Sequence, residues 1–304
     1  MKPISIIVIT YNRPVDTLVL LQNLVALDGA QQLLQEIVLV NNASTSDYSS
    51  VERFCSQENA VVIRYEQAPD NLGVAKGRNF ALRFATAPIL VMLDDDAEMG
   101  NPDCLYRLIE AFDRKQTARP KAIVSFKVLY YENRQMQENA LPHKKFGEYK
   151  DKAFFETYYY AGGAHAILRS ALDAVGDYPE DFFYGMEEYD LSYRLLDKGY
   201  SIVYSNEIVM LHKESPLGRK PKAEKLKMMW VNKCKVAWRY LPHRYFWSTA
   251  LLWSFEFLRK SGWQFSGFFA GWRAVLNIRT TERRHTVSAD TLNYLQRLDA
   301  RLWY

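Results

Sequence analysis

Pro88-Ile89-Leu90-Val91-Met92-Leu93-Asp94-Asp95-Asp96 is the stretch that decides how this chain is read. An unbroken apolar run bounded by a proline predicts a buried strand. The strand then surfaces into three carboxylates. In open α/β sheets, ligands bind in the crevice beyond the carboxyl ends of the strands, so these acids stand where chemistry is expected. Three like charges repel unless a hard cation sits among them, and carboxylate oxygens suit magnesium or manganese. The triplet therefore predicts a divalent metal, Mn2+ or Mg2+, with a phosphorylated ligand behind it. The competing reading is a solvated acidic turn; it loses ground because other motifs converge on the same chemistry.

Working outward, apolar runs at 5–9, 36–40, 61–63, 88–93, 122–130, 166–168 and 202–211 predict strands. Helices are predicted at 15–27, near 49–57, from the turn at 70–73 to about 87, after Pro102, and over 188–198. This alternation predicts an α/β fold, Rossmann-like, with a mostly parallel central sheet covered on both faces. Residues 132–160 are polar and tyrosine-rich and predict a long loop over the sheet, of the kind that often carries function. From about 223 the pattern is helical. The expected organisation is an α/β domain carrying the ligand-binding edge at 1–215 and a basic helical tail at 216–304.

The chain has 304 residues, 48% of them hydrophobic, enough for a large core. Three cysteines, far apart, have no metal-like spacing and read as reduced thiols. No charged, then apolar, then small-residue pattern precedes the first strand, so the expected location is cytoplasmic. The net charge of +4 conceals an asymmetry: residues 212–304 carry 18 Lys/Arg against 6 Asp/Glu, and all seven tryptophans. The most apolar stretch, 245–258, is only 14 residues long and is interrupted by Glu256. A spanning helix needs about 20 apolar residues. The stretch reads instead as an amphipathic element on the inner face of a membrane, with tryptophans at the headgroups and basic residues on anionic lipid. The alternative is that the tryptophans pack the tail onto the body or onto a second subunit in a homo-oligomer.

The loops ending the first strands, 10–14, 41–45 and 94–96, should share one sheet edge. Asn41, Asn42, Ser44 and Thr45 offer donors and acceptors to a base or ribose. Lys76 and Arg78 stand in the first turns of a helix, within reach of a base or phosphate. Residues 182–194 place Glu187, Glu188 and Asp190 at the start of a helix behind an aromatic run. Acids at a helix N-terminus complement its dipole, but capping does not need three. Arg194 can pair with Asp190 four residues back, which leaves Glu187 or Glu188 to accept a proton in the crevice. His212 ends the last strand; an imidazole among carboxylates suits manganese somewhat better than magnesium.

The stretches 5–14, 40–45, 71–79, 93–96, 162–169 and 182–199, with His212, resemble the inverting glycosyltransferases of family 2, which have the A-type glycosyltransferase fold and build bacterial cell-surface polysaccharides. The resemblance implies that Thr10, Tyr11 and Arg13 hold the nucleotide, with Asn41 and Arg78 near its base. It puts Asp94 on the ribose or metal, Asp95 beside it at the donor, and Asp96 and His212 on the metal. Gly162, Gly163 and Ala164 would border the sugar and acceptor. Glu188 would be the base in a single displacement, with Glu187 and Asp190 beside it. The implied partners are a nucleoside-diphosphate-sugar donor and a glycan or lipid-linked acceptor; a hexose, an N-acetylhexosamine or rhamnose could be the sugar moved. Two departures stand out: Asn41 occupies a position usually held by Asp, and Glu188 one often held by Asp. Two rivals fit less well. A sugar nucleotidyltransferase should carry a glycine-rich loop after the first strand, and 10–14 has no glycine. A nucleic-acid binder would use the basic, tryptophan-bearing tail, but no nucleic acid is expected as a partner.

Overall fold

Strand β4 (Ile89–Asp94) is buried along its length until Asp94, where it emerges. Around it a computed structural model, describing residues 1–57, 60–215, 217 and 221–303, builds a single mixed sheet. The other strands are β1 (Ile4–Thr10), β2 (Leu34–Asn41), β3 (Ile63–Gln67), β5 (Ala97–Met99), β6 (Lys121–Tyr130), β7 (Phe154–Thr157), β8 (Ala164–Leu168) and β9 (Ser201–His212). Their order is β3-β2-β1-β4-β8-β6-β9-β5, with β7 on β9. The β3-β2-β1-β4 block is parallel throughout. β8 runs antiparallel between β4 and β6, and β6 pairs in parallel with β9.

Helices pack on this sheet: α1 (Pro14–Val25), α2 (Ala30–Leu33), α3 (Ser49–Ser56), α4 (Gly73–Leu82), α5 (Cys104–Asp113), α6 (Phe146–Tyr149), α7 (Arg169–Val175) and α8 (Glu187–Asp197). The tail adds α9 (Lys222–Tyr240), α10 (His243–Ser261), α11 (Phe265–Thr281) and α12 (Ala289–Arg297). Side chains alternate across the pleat. Ile7, Val38, Val40, Leu90 and Met92 feed the core on one face, and Ile6, Val8, Ile37, Leu39, Val91 and Leu93 the core on the other. Two buried faces explain why these strands read as continuous apolar runs.

Three expectations need correction. The helix expected to run to about 87 is α4, which stops at Leu82. The third strand lies at Ile63–Gln67, not at 61–63. It is the sheet's edge strand, half-buried, so its true extent carries no apolar run to read. The stretch expected as a loop at 132–160 contributes β7, which pairs with β9, and the short helix α6.

The tail shares the body's core. Trp230 and Trp238 are buried in the cluster that contains Ile7, Val38 and Leu90, and Trp253 and Trp272 pack against it. A Cβ at Gly271 of α11 would overlap the Trp230 ring, so only glycine lets α11 approach α9 there. Trp247, Trp263 and Trp303 are exposed.

Asp190, expected beside the catalytic acids, faces the tail instead. One oxygen accepts from Arg194 Nε at 2.9 Å, the other from Arg239 Nη1 at 2.8 Å and the Tyr240 hydroxyl at 3.0 Å. It is 2% exposed. Asp190 thus ties α8 to α9, with both oxygens engaged. Asp190→Ala would cut this tie, although Arg194 keeps three backbone carbonyls and Arg239 keeps Asp181 and Glu282. We expect a loss of about 1–3 kcal/mol in urea unfolding, with Mn2+ affinity unchanged by calorimetry.

Candidate active site

Antiparallel pairing of β5 with β9 sets His212 opposite Ala97, and so beside the acidic turn that joins β4 to β5. Oxygens of Asp94 and Asp96 and a ring nitrogen of His212 all lie within 4.8 Å of one another. His212 Nε2 is 3.3 Å from Asp96 Oδ1, and its Nδ1 is 3.2 Å from Gln137 Oε1. With Nδ1–H donating to Gln137, Nε2 is left to act as a ligand, the usual arrangement at metal-binding histidines. The set of two carboxylates and one imidazole fits a hard to intermediate divalent ion such as Mn2+.

Asp95 does not join this cluster. Its Oδ1 pairs with Arg13 Nη1 at 2.6 Å, and its Oδ2 accepts from the Tyr11 amide at 3.1 Å. Burial pushes its carboxyl up to about 6 even against the Arg13 charge. Asp96 goes the other way: burial would raise it, but the His212 hydrogen bond and the Arg13 charge outweigh burial and hold it below the ordinary value. Adjacent acids are thereby turned to different neighbours, Asp96 to His212 and Asp95 to Arg13. Arg13 also touches Asp96 Oδ2 at 3.3 Å and donates to the carbonyls of Ser215 and Leu217 at 3.2 and 2.9 Å. It binds the acidic turn to the chain leaving β9.

Thr10 and Asn41 prove to be braces. The Thr10 hydroxyl is fully buried against Thr17 and Tyr48 at 2.7 and 2.6 Å. Asn41 donates to the Tyr65 hydroxyl at 2.8 Å and accepts from the Ser44 amide at 2.9 Å. Between them Asn12, with φ +57°, accepts from the amides of Thr45 and Ser46 at 2.8 and 3.1 Å. This side chain staples the first two strand-end loops together, and nothing in its spacing marked it.

A cleft of about 900 Å³ opens beside the acids, lined by Arg78, Asp94, Gly162, Gly163, Ala164, Glu187, Glu188 and His212 among others. Thr10, Tyr11, Arg13, Asn41, Asp95 and Asp96 do not line it, although they shape its floor. Arg78 is buried. Its Nη1 lies 3.2 Å from Glu187 Oε1 and 3.8 Å from Glu188 Oε1, and its Nη2 donates to the Gly162 carbonyl at 2.8 Å. Arg78, expected near a base, lines the cleft and holds the two glutamates.

The turn into α8 takes positive φ at Gly185 and at Met186 (+72°), a conformation costly for methionine. It delivers Glu187 and Glu188 to the cleft side by side. Glu187 is 2% exposed, and its Oε2 has no hydrogen-bond partner among the described residues. The Glu188 side chain is 19% exposed and faces the cleft. Burial first, then the neighbouring Glu187 charge, push the Glu188 carboxyl up to about 8, against the pull of Arg78.

Gly162 and Gly163 explain their own presence. A Cβ on Gly162 would overlap Glu188 Oε1, and one on Gly163 would overlap the Asp94 carboxylate. The bare backbone of two consecutive residues thus sits against one acid each. Gly163 also accepts from the Asp94 amide at 3.2 Å.

These features define a glycosyltransferase of the A-type fold. Residues 5–176 match Glycosyl transferase family 2, and the chain belongs to that family. The match ends before α8, so the two glutamates lie beyond it. In sequence the chain is 27% identical, over 147 residues, to an uncharacterized protein of Haemophilus influenzae, covering 48% of this chain and 77% of that protein. It is 24% identical over 222 residues to mouse (Mus musculus) polypeptide N-acetylgalactosaminyltransferase 3, covering 64% of this chain but only 34% of the enzyme. In structure it resembles mannosyltransferase PcManGT from Pyrobaculum calidifontis in complex with GDP-Man and Mn2+, with a TM-score of 0.61, 20% identity, and coverage of 100% and 81%. It resembles S. aureus TarS 1–349 in complex with UDP-GlcNAc at TM-score 0.63 and 15% identity, covering 100% of this chain and 89% of TarS 1–349. GalNAc-T7 with UDP, GalNAc and Mn2+ aligns at TM-score 0.63 and 15% identity over 82% of this chain and half of that one.

Gln137→Ala frees the His212 ring and should weaken Mn2+ binding about 10- to 100-fold by calorimetry. Gly163→Ala, which displaces Asp94 directly, should do at least as much.

Proposed function

We propose that the protein is an inverting glycosyltransferase that moves a sugar from a nucleoside-diphosphate-sugar to a hydroxyl of a glycan or lipid-linked glycan, with Glu188 as the base. The observation that carries this reading is the pair of glycines: they bring the Glu188 carboxylate and the Asp94 carboxylate of the metal cluster to adjacent points of one backbone. A donor whose diphosphate meets Asp94, Asp96 and His212 would present its anomeric carbon to an acceptor beside Glu188. A divalent ion bound by those three residues would supply neutralisation of the departing diphosphate.

Glu188 takes the proton from the acceptor hydroxyl as that oxygen bonds to the anomeric carbon and the bond to the diphosphate breaks. Glu188 suits this task better than Glu187, because both line the cleft but Glu187 is buried against Arg78 and Glu188 is the more exposed of the two. Arg78 fixes both carboxylates and limits the rise in the pKa of Glu188. A base titrating near neutrality abstracts protons well while staying available.

The tail supports an acceptor at a membrane. No helix among the described residues is long and apolar enough to cross one. Trp247, Leu251 and Phe255 of α10 and Phe265, Phe269 and Leu276 of α11 are exposed on two helices that pack together. Exposed Arg259, Lys260 and Arg273 accompany them. Apolar side chains flanked by cations fit an anionic lipid surface on the cytoplasmic side. The same α10 gives Trp253, Glu256 and Lys260 to the cleft, so a lipid-anchored acceptor would enter where the protein meets the bilayer.

Product analysis by NMR shows inversion at the anomeric carbon, and Glu188→Gln lowers kcat about 10²- to 10⁴-fold while Mn2+ still binds; retention, or full activity of that variant, would remove Glu188 from this role. The rate rises with pH through the titration of Glu188, since the unprotonated form is the base. Glu187→Gln deletes the like charge, lowers that pKa, and shifts the acid limb of the profile to lower pH. In flotation, the wild type rises with anionic vesicles and the double variant Phe255→Ser, Phe269→Ser stays behind.

A further inference from the structure

Beyond Glu188 the cleft wall continues with Tyr189. One face of its ring stacks on Tyr159, with centroids 4.9 Å apart and planes 12° from parallel. The Lys233 ammonium, from α9, lies over the Tyr189 ring, 3.4 Å from its centre. Lys233 lines the cleft and is only 7% exposed. Among the described residues no carboxylate pairs with it; the cation acting on it is Arg301, which lines the same cleft and repels it. Lys144 and Lys260 also reach this cleft, but each has an acid, Asp299 at 3.7 Å and Glu256 at 2.7 Å.

A buried ammonium without a counter-ion is costly. Burial, and then Arg301, push Lys233 down to about 7. A cation–π contact offsets part of that cost and fixes the ammonium in place, but supplies no negative charge. The metal cluster on β4 and β9 accounts for the donor's diphosphate. Lys233 and Arg301 come from α9 and the C-terminal segment, and nothing on the donor side uses them. One carboxylate would neutralise one of the two cations. A phosphate monoester carries about −1.5 to −2 at neutral pH and matches both.

We propose that Lys233 and Arg301 form a phosphate-binding subsite for the acceptor, adjoining the base Glu188. This rests on reading the cleft as a transferase site. It selects acceptors bearing a phosphate near the hydroxyl that is glycosylated. A phosphate on a lipid carrier and one on a water-soluble polyol share this chemistry.

The test titrates the full chain, kept metal-free with EDTA so that the donor's diphosphate site lacks its ion. The probes are glycerol phosphate and farnesyl phosphate in micelles, with glycerol and farnesol as neutral controls. Both phosphates, or one of them, should bind saturably while the neutral controls do not. Binding of farnesyl phosphate alone identifies a lipid phosphate, and of glycerol phosphate alone a polyol phosphate. Lys233→Met and Arg301→Gln should each weaken phosphate binding about tenfold or more, the loss of one charge-assisted contact. Lys233→Arg should retain most of it, and Lys115→Met, a change at a distant exposed lysine, all of it. Arg301 is exposed, so its variant tests the subsite even if Lys233→Met fails to fold. Equal affinity in Arg301→Gln and wild type, or no preference for phosphate over the neutral controls, overturns the proposal. Mn2+-dependent hydrolysis of nucleotide-sugars by the wild type is measured separately; its absence would count against the transferase reading and leaves the phosphate result to stand or fall alone.

Discussion

Six carboxylates converge on one edge of the sheet, and their mutual repulsion has to be relieved for the edge to exist. Arginines do most of this. Arg13 takes Asp95, Arg78 takes Glu187, and Arg194 with Arg239 takes Asp190. What is left is Asp94 and Glu188 on the cleft wall, with Asp96 held at its floor against the cleft-lining His212. The acids available for chemistry are those that lack a dedicated arginine or only share one. Buried pairs of this kind add little net stability, but removing one partner is expensive. Their role is to assign each acid a direction.

The same arginines connect distant parts of the chain. Arg13 reaches from the first strand-end loop to the segment after β9. Arg78 joins α4, the Gly162 backbone and α8. Arg239 joins α8 to the tail through Asp190 and Glu282. The tail is therefore continuous with the body. It shares the core under β1, β2 and β4, and it lends Met229, Lys233, Trp253 and Arg301 to the cleft. The side of the cleft built on the parallel strands and the side completed by the tail meet at Gly162 and Gly163, where any side chain would intrude on one acid or the other.

Much was legible in the residues themselves. The apolar run ending in three acids announced a buried strand with a ligand edge, and the alternation of strand and helix patterns announced the α/β sheet. These are local signals: burial on both faces imposes an unbroken apolar run, and a helix imposes its own period. The half-buried edge strand β3 was displaced because it has no such run. The family resemblance rested on the same strand-end loops, and Asp96, His212 and Glu188 stand at one cleft or its floor.

What local sequence could not decide is which way each acid points. Asp94, Asp95 and Asp96 are indistinguishable in composition, yet one is packed on Gly163, one is locked to Arg13, and one meets His212. Gln137, Lys233 and Arg301 carry no spacing that relates them to the acids. Their roles arise because pairing of β6 with β9, and packing of α9 beneath the cleft, bring together residues far apart in the chain. The sequence by itself determined the elements and the kind of chemistry, since hydrophobic period and charge are properties of short segments. Only the tertiary structure decided which acids remain available, because that depends on which arginine or glycine the fold sets against each one.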